Sequence, residues 1–132
     1  MKTVMVFGTF DRVHPGHEFL FSQAKKHGDW LVVLVSRDQT VLKVKGRLPK
    51  QNEKKRQQGI EQLESVDQVV LGSKSSPYTI FDSIQPDVVC LGYDQKTFVE
   101  GLADALKRKD IKAEIIRLGA YKPEKYKSSL LN

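Results

Sequence analysis

Residues 3–25 read TVMVFGTFDRVHPGHEFLFSQAK, and this stretch decides the fold. Its first part, residues 3–7, is an apolar run that contains valine and threonine, which is typical of a strand buried on both faces. Gly8 ends the run. Pro15 suits the first turn of a helix, because a proline there loses no hydrogen bond. The stretch therefore predicts a strand, a turn and then a helix over residues 17–27.

The same alternation continues along the chain. Four further apolar runs are predicted strands, and they cover residues 30–35, 66–71, 88–91 and 113–118. Helical periodicity is found over residues 53–64, 78–84 and 97–109. Weak periodicity predicts loops over residues 39–51 and 119–129. Strands that alternate with helices predict an α/β fold, with a five-stranded parallel sheet and helices on both faces. No shift in composition divides the chain, so residues 1–132 are predicted to form a single domain.

Composition limits the class of protein. With 132 residues, 39% of them hydrophobic and 29% charged, the chain is expected to be a soluble globular protein. No apolar stretch approaches the length of a membrane-spanning helix and no signal peptide is recognised, so a cytoplasmic location and no membrane partner are expected. The single cysteine, Cys90, excludes an internal disulfide bond. The net charge of +6 favours an anionic partner, either nucleic acid or a phosphorylated small molecule.

The turn after the first predicted strand carries the residues best suited to chemistry. Ligands of open parallel sheets bind beyond the carboxyl ends of the strands, and a helix start offers N–H groups that bind anions. His14 and His17 are three residues apart, so their imidazoles are neighbours on the first helical turn. They can donate hydrogen bonds to phosphate or supply positive charge as a leaving group departs. Histidine pairs also bind zinc, but no pattern brings further ligands to this pair, and no metal ligands are predicted.

The pattern Gly8-Thr9-Phe10-Asp11-x-x-His14-x-Gly16-His17 resembles the signature of the cytidylyltransferase-like nucleotidyltransferases. The resemblance implies a Rossmann-like fold and in-line attack by a substrate phosphate on the α-phosphate of a nucleoside triphosphate, with release of pyrophosphate. Mg²⁺ would accompany the triphosphate. It further implies catalytic roles for His14 and His17, a substrate contact for Asp11, and nucleotide contacts for Gly8, Thr9, Phe10, His14, Gly16 and His17. Small members of the family are often dimers, so a homodimer is expected.

Basic residues later in the chain extend the resemblance. It implies that Lys45 is catalytic and that Lys43 binds substrate, because the family places lysines after the second strand. It also implies a substrate contact for Arg56, for which an exposed helix arginine is the equal alternative.

Two further segments match the family. After the fourth predicted strand, the resemblance implies nucleotide contacts for Gly92, Asp94 and Gln95 and a substrate contact for Tyr93, although glycine and aspartate also favour an ordinary turn. Near the C-terminus, Ser128 and Ser129 match a Ser/Thr-rich motif that holds the triphosphate. The basic residue and apolar helix that usually follow this motif are missing here.

Two branches of the family are close to this sequence. Glycerol-3-phosphate cytidylyltransferase, which uses CTP, matches the length and the first motif. The archaeal-type FAD synthases, which transfer AMP from ATP to FMN, are favoured by four segments: Arg37-Asp38-Gln39-Thr40-Val41, Lys43-x-Lys45-Gly46-Arg47, Leu71-Gly72-Ser73 and Leu91-Gly92-Tyr93-Asp94-Gln95. The expected partners are therefore ATP or CTP and a phosphorylated small-molecule acceptor.

Two readings from other classes compete with an enzyme. The curtailed C-terminal motif suits a nucleotide-binding module without catalysis. The net charge of +6 suits a nucleic-acid binder, but aromatic residues are only 8% of the chain and form no stacking platform among the basic clusters. Nucleic acid is therefore not expected as a partner.

Overall fold

The computed structural model of the chain describes residues 1–73, 76–93, 95, 99 and 101–119. The strands in chain order are β1 (Thr3–Gly8), β2 (Trp30–Val35), β3 (Gln68–Leu71), β4 (Val88–Leu91) and β5 (Glu114–Arg117). The helices are α1 (Pro15–Lys25), α2 (Asp38–Lys45), α3 (Glu53–Glu61) and α4 (Leu102–Arg108), with a 3-10 helix at Pro77–Asp82. The predicted α/β fold with five parallel strands is confirmed.

The strands pair in the order β3-β2-β1-β4-β5. β1 therefore lies in the centre, with β2 on one side and β4 on the other. In β1, Val4 pairs in register with both Leu31 and Val88. The chain runs outward in opposite directions from this centre, so the carboxyl ends of β1 and β4 flank the point at which the order reverses. In open α/β sheets that point is where ligands bind.

Alternate residues of β1 supply two separate cores, as a strand covered on both faces requires. Val4 and Val6 belong to the core on the α1 and α3 face, with Phe21 and Ile60. Met5 and Phe7 belong to the opposite core, with residues of the 3-10 helix and α4: Phe81, Leu102 and Leu106. The prediction of helices on both faces of the sheet is thus confirmed.

The prediction of a loop over residues 39–51 is wrong for its first half, which is helical. That half forms α2, which ends where Gly46 adopts a left-handed conformation with φ of 79°. Val41 is the only buried residue of this helix, so the apolar periodicity is too weak to be recognised.

Several boundaries also differ from those predicted. The first helix begins at Pro15 rather than residue 17, and the third and fifth strands are four residues each. The segment predicted as a helix over residues 78–84 is the 3-10 helix. In the segment predicted over residues 97–109, the described helix begins at Leu102. Within the described residues, no helix is long and apolar enough to cross a membrane.

Candidate active site

A cavity of about 390 Å³ opens at the carboxyl ends of β1 and β4. It brings together, from three separate segments of the chain, most of the residues that the sequence singled out. Its described lining consists of Phe7, Gly8, Thr9, Phe10, Asp11, His14, His17, Leu20, Lys45, Gly92 and Gln95. Three predicted residues, Asp94, Ser128 and Ser129, lie outside the described part of the chain.

The turn between β1 and α1 has an unusual backbone. Phe10 and Arg12 have φ angles of 53° and 64°, a left-handed conformation that non-glycine residues rarely adopt. Packing holds it in place, because the Phe10 ring is only 7% exposed and makes edge-to-face contacts with Phe21 and His17. Backbone strain of this kind is concentrated at functional sites.

The Phe10 ring also explains why position 8 is a glycine. A Cβ atom on Gly8 would lie 2.6 Å from Cζ of Phe10, which is closer than van der Waals contact allows. The sequence suggested that Gly8 lets the backbone approach a phosphate. The structure adds a steric reason, since only glycine leaves room for the Phe10 ring that shapes this turn.

His14 caps helix α1 with its own side chain. Its Nδ1 accepts a hydrogen bond from the Gly16 N–H at 3.0 Å, and its backbone oxygen accepts bonds from the N–H groups of His17 and Glu18. The first N–H groups of α1 are therefore paired within the turn, whereas the sequence predicted that they would be available to bind an anion. Because Nδ1 is an acceptor, the proton of neutral His14 is carried on Nε2, which can donate to a ligand.

His17 lies directly beside His14, and the two rings stack with centroids 3.7 Å apart. Burial, and then the nearby charge of His14, lower the pKa of His17 to about 4, against the opposing effect of the Arg12 carbonyl. At neutral pH His17 is therefore uncharged, whereas the sequence analysis allowed either imidazole to supply positive charge. Its Nδ1 is buried with no hydrogen-bond partner among the described residues, and such orphaned atoms are costly unless a ligand meets them.

The structure separates the two lysines of α2. Both are exposed, but Lys45 lines the cavity and Lys43 is not among the described lining residues. Two positions along a helix are about 200° apart around its axis, so the two side chains leave opposite sides. Lys45 is thus the cation that α2 presents to the site.

Asp11 connects this turn to the segment that follows α2. Its carboxylate oxygens accept hydrogen bonds from the N–H groups of Lys50 at 2.7 Å and Gln51 at 2.9 Å. Burial raises the pKa of Asp11, but these two bonds and the charges of Arg56 and Arg12 outweigh it and hold the pKa below its usual value. Asp11 is therefore ionised at neutral pH, and it holds the second half of the segment that was predicted to be a loop.

Arg56 differs from both readings offered by the sequence. It is 1% exposed, so it is not an exposed helix arginine, and it does not line the cavity either. Its guanidinium donates to the backbone oxygens of Gln51 and Thr9 and to the carboxylate of Asp38, at distances of 3.0, 2.9 and 2.6 Å. It supports the site from outside the cavity by joining the turn after β1 to α2 and α3.

A hydrogen-bonded turn closes the opposite side of the cavity. The Gln95 side chain donates to the Phe7 oxygen at 3.0 Å and accepts from the Gly92 N–H at 3.1 Å. Arg117, which the sequence analysis missed, donates to the backbone oxygens of Gly92 and Gln95. No local pattern marks Arg117, because its role depends on β5 pairing with β4. Tyr93 is 53% exposed and does not line the cavity.

The side chains of the site show how a metal ion that accompanies a triphosphate could be bound. Among the described residues, no group of three histidine, cysteine or carboxylate side chains is arranged to hold a metal ion. Asp11 is the only carboxylate in the described lining. These residues fit a Mg²⁺ ion that takes most of its ligands from the phosphates and water, as is usual for Mg²⁺ bound with nucleotides.

Comparison with known families and structures agrees with this geometry. The sequence matches the family described as Cytidylyltransferase-like over residues 5–131. The chain belongs to this family. The FAD synthase of Ferroglobus placidus is 42% identical over 121 residues, which cover 91% of this chain and 78% of that protein. The FAD synthase of Methanothermobacter thermautotrophicus is 41% identical, with 92% and 82% covered. The resemblance drawn from the sequence is thereby confirmed, including its nucleotidyltransferase class.

Solved structures support the fold of this family member. A lipopolysaccharide core biosynthesis protein from Thermoplasma volcanium is 35% identical with a TM-score of 0.83, and the match covers 92% of this chain and 98% of that one. Pantothenate synthetase from Thermus thermophilus is 16% identical with a TM-score of 0.59, over 89% of this chain and 55% of that one. At that identity the second likeness concerns the fold alone, and it supports the Rossmann-like architecture.

Proposed function

We propose that this chain is an FAD synthase, which transfers AMP from ATP to FMN and forms FAD and pyrophosphate. The observation that carries the proposal is the grouping of His14, His17 and Lys45 around one cavity at the point where the strand order reverses. The FAD synthases of F. placidus and M. thermautotrophicus, at 42% and 41% identity, support the choice of acceptor and nucleotide.

The chemistry is a displacement at phosphorus. A phosphate oxygen of FMN attacks the α-phosphate of ATP, the bond from that phosphorus to the bridging oxygen of the β-phosphate breaks, and pyrophosphate leaves. Such a reaction needs alignment and stabilisation of negative charge rather than an acid or base on the protein.

The roles proposed for the site follow from its donors. The Lys45 ammonium and the Nε2–H of His14 donate to triphosphate oxygens, where negative charge increases as pyrophosphate departs. His17 supports this by stacking on His14 and by offering a hydrogen bond in its neutral form. Gly92 and Gln95, on the opposite wall, contact the nucleoside. A Mg²⁺ ion held by the triphosphate and water would further neutralise the phosphates. We also retain a homodimer and a cytoplasmic location as proposals.

A pyrophosphate-release assay with Mg²⁺ tests the function by crossing ATP and CTP against FMN and glycerol 3-phosphate. We expect release only with ATP and FMN, together with FAD as the second product. Release only with CTP and glycerol 3-phosphate would reject FAD synthesis and favour the other branch. If folded protein releases no pyrophosphate with any pair, a nucleotide-binding module without catalysis would be favoured.

A matched pair of variants tests the site. His14→Ala should lower kcat by roughly a hundredfold, because a donor to the developing charge is lost. His27→Ala is the control, since His27 is outside the described cavity lining. Equal rates for the two variants would reject the role proposed for His14.

A further inference from the structure

A second cavity adjoins the first. It has a volume of about 360 Å³ and shares three lining residues, Thr9, Asp11 and Lys45, with the cavity at the end of β1. Its remaining lining comes from α2 and the segment after it, namely Val41, Arg47, Leu48, Pro49 and Lys50. The two cavities thus meet at Lys45, one of the cations proposed to contact the reacting phosphates.

The lining of this second cavity is divided by chemistry. Lys45, Arg47 and Lys50 supply positive charge, which suits a phosphate group. Val41, Leu48 and Pro49 supply an apolar wall. Leu48 is 59% exposed, so its side chain is accessible to a ligand beside the basic residues of the lining. A ligand that matches both parts carries a phosphate and a broad apolar group.

The wall is held in place before any ligand binds. Beyond Leu48 and Pro49, the backbone is bound to Asp11 through the N–H groups of Lys50 and Gln51. The Gln51 side chain accepts a bond from the Arg12 N–H at 3.2 Å, and its backbone oxygen accepts one from Arg56. These bonds fix the segment against the catalytic turn, so little ordering is needed on binding.

We propose that this second cavity is the subsite for the acceptor, a phosphate ester of a large planar aromatic ring. Lys45 and Arg47 hold the acceptor phosphate at the boundary with the first cavity, where it faces the α-phosphate. Val41, Leu48 and Pro49 contact the ring. The proposal rests on the proposed function, since the flavin of FMN is the ring system concerned. It makes the apolar wall the feature that selects FMN over a small phosphate ester such as glycerol 3-phosphate.

The test compares Leu48→Ser with Leu42→Ser. Leu42 is 46% exposed on the same part of the chain but lines neither cavity, so it is a matched control. Both positions are too exposed for either variant to unfold the protein, and thermal melting checks this. Leu48→Ser should raise the KM for FMN roughly tenfold, as expected when a leucine side chain loses its contact with an apolar ring, and should leave the KM for ATP unchanged.

A second comparison separates the contribution of the ring to binding from that of the phosphate. Riboflavin, which lacks the phosphate, is used as a competitive inhibitor against FMN. Leu48→Ser should weaken the binding of riboflavin and of FMN alike, whereas Arg47→Ala should weaken the binding of FMN only. Lys54→Ala, an exposed lysine outside both cavities, controls for the loss of one positive charge.

The outcomes distinguish this subsite from the function on which it rests. If wild-type protein forms FAD but Leu48→Ser and Leu42→Ser have equal KM values for FMN, the subsite is rejected and the function stands. A change in the KM for ATP instead would assign the cavity to the nucleotide and also reject the subsite. If wild-type protein forms no FAD from ATP and FMN, the function fails and the subsite fails with it.

Discussion

Replacing Arg56 with methionine tests how the site is supported. The guanidinium is buried and makes three hydrogen bonds, two to backbone oxygens and one to the Asp38 carboxylate. Methionine fills a similar volume but satisfies none of these acceptors. Breaking a buried ion pair costs about 3–5 kcal/mol, and the side chain of Asp38 remains 27% exposed, so water can partly replace the arginine. We expect Arg56→Met to lower the free energy of unfolding by about 3 kcal/mol, or the Tm by roughly 10 °C.

Urea denaturation of the wild type and the variant measures this loss, and steady-state kinetics of FAD formation measures the effect on the site. Lys55→Met is the control, because Lys55 is exposed on the same helix and should change stability by less than about 0.5 kcal/mol. The reasoning would be refuted if Arg56→Met unfolded within about 1 kcal/mol of the wild type and had only a raised KM. That result would mean that Arg56 contacts substrate directly, as the family resemblance implied.

Three other predictions concern single features of the site. Lys45→Ala should lower kcat/KM by about ten- to a hundredfold, because a charged donor to phosphate is lost. Lys43→Ala should keep kcat/KM within about twofold of the wild type. Equal losses in the two variants would contradict the orientation of α2. Gly8→Ala should destabilise the protein by about 1–3 kcal/mol in thermal or urea unfolding, because its Cβ would clash with the Phe10 ring. Gly92→Ala is the control and should be tolerated, because its Cβ would lie 3.7 Å from its nearest neighbour. Similar stability for the two variants would contradict the packing of Phe10. The pKa of His17 is lowered to about 4, so unfolded chains bind more protons between pH 6.5 and 4, and the free energy of unfolding should fall as the pH falls through that window. His17→Asn should flatten this dependence in urea titrations at several pH values, and an unchanged slope would argue against a buried, neutral His17.

The sequence by itself determined the main strands and singled out the turn after β1 as the candidate site. The runs that became β1, β2 and β4 are apolar and short, and this local pattern is sufficient because strands covered on both faces contain almost no polar residues. The motif from Gly8 to His17 likewise lies on one continuous segment, so its spacing alone indicated a phosphate site. The same spacing supported the family assignment, which the comparisons with known proteins confirmed.

The tertiary structure decided which side chains reach that site. Lys43 and Lys45 look equivalent in the sequence, and only the formation of α2 directs one of them into the cavity. Arg56 is indistinguishable from a solvated helix arginine until the fold buries it against Thr9, Asp38 and Gln51. Arg117 acquires its partners because β5 pairs with β4. In each case the burial and the hydrogen-bond partners of a long charged side chain depend on segments that are distant in the sequence. The local sequence therefore cannot predict them.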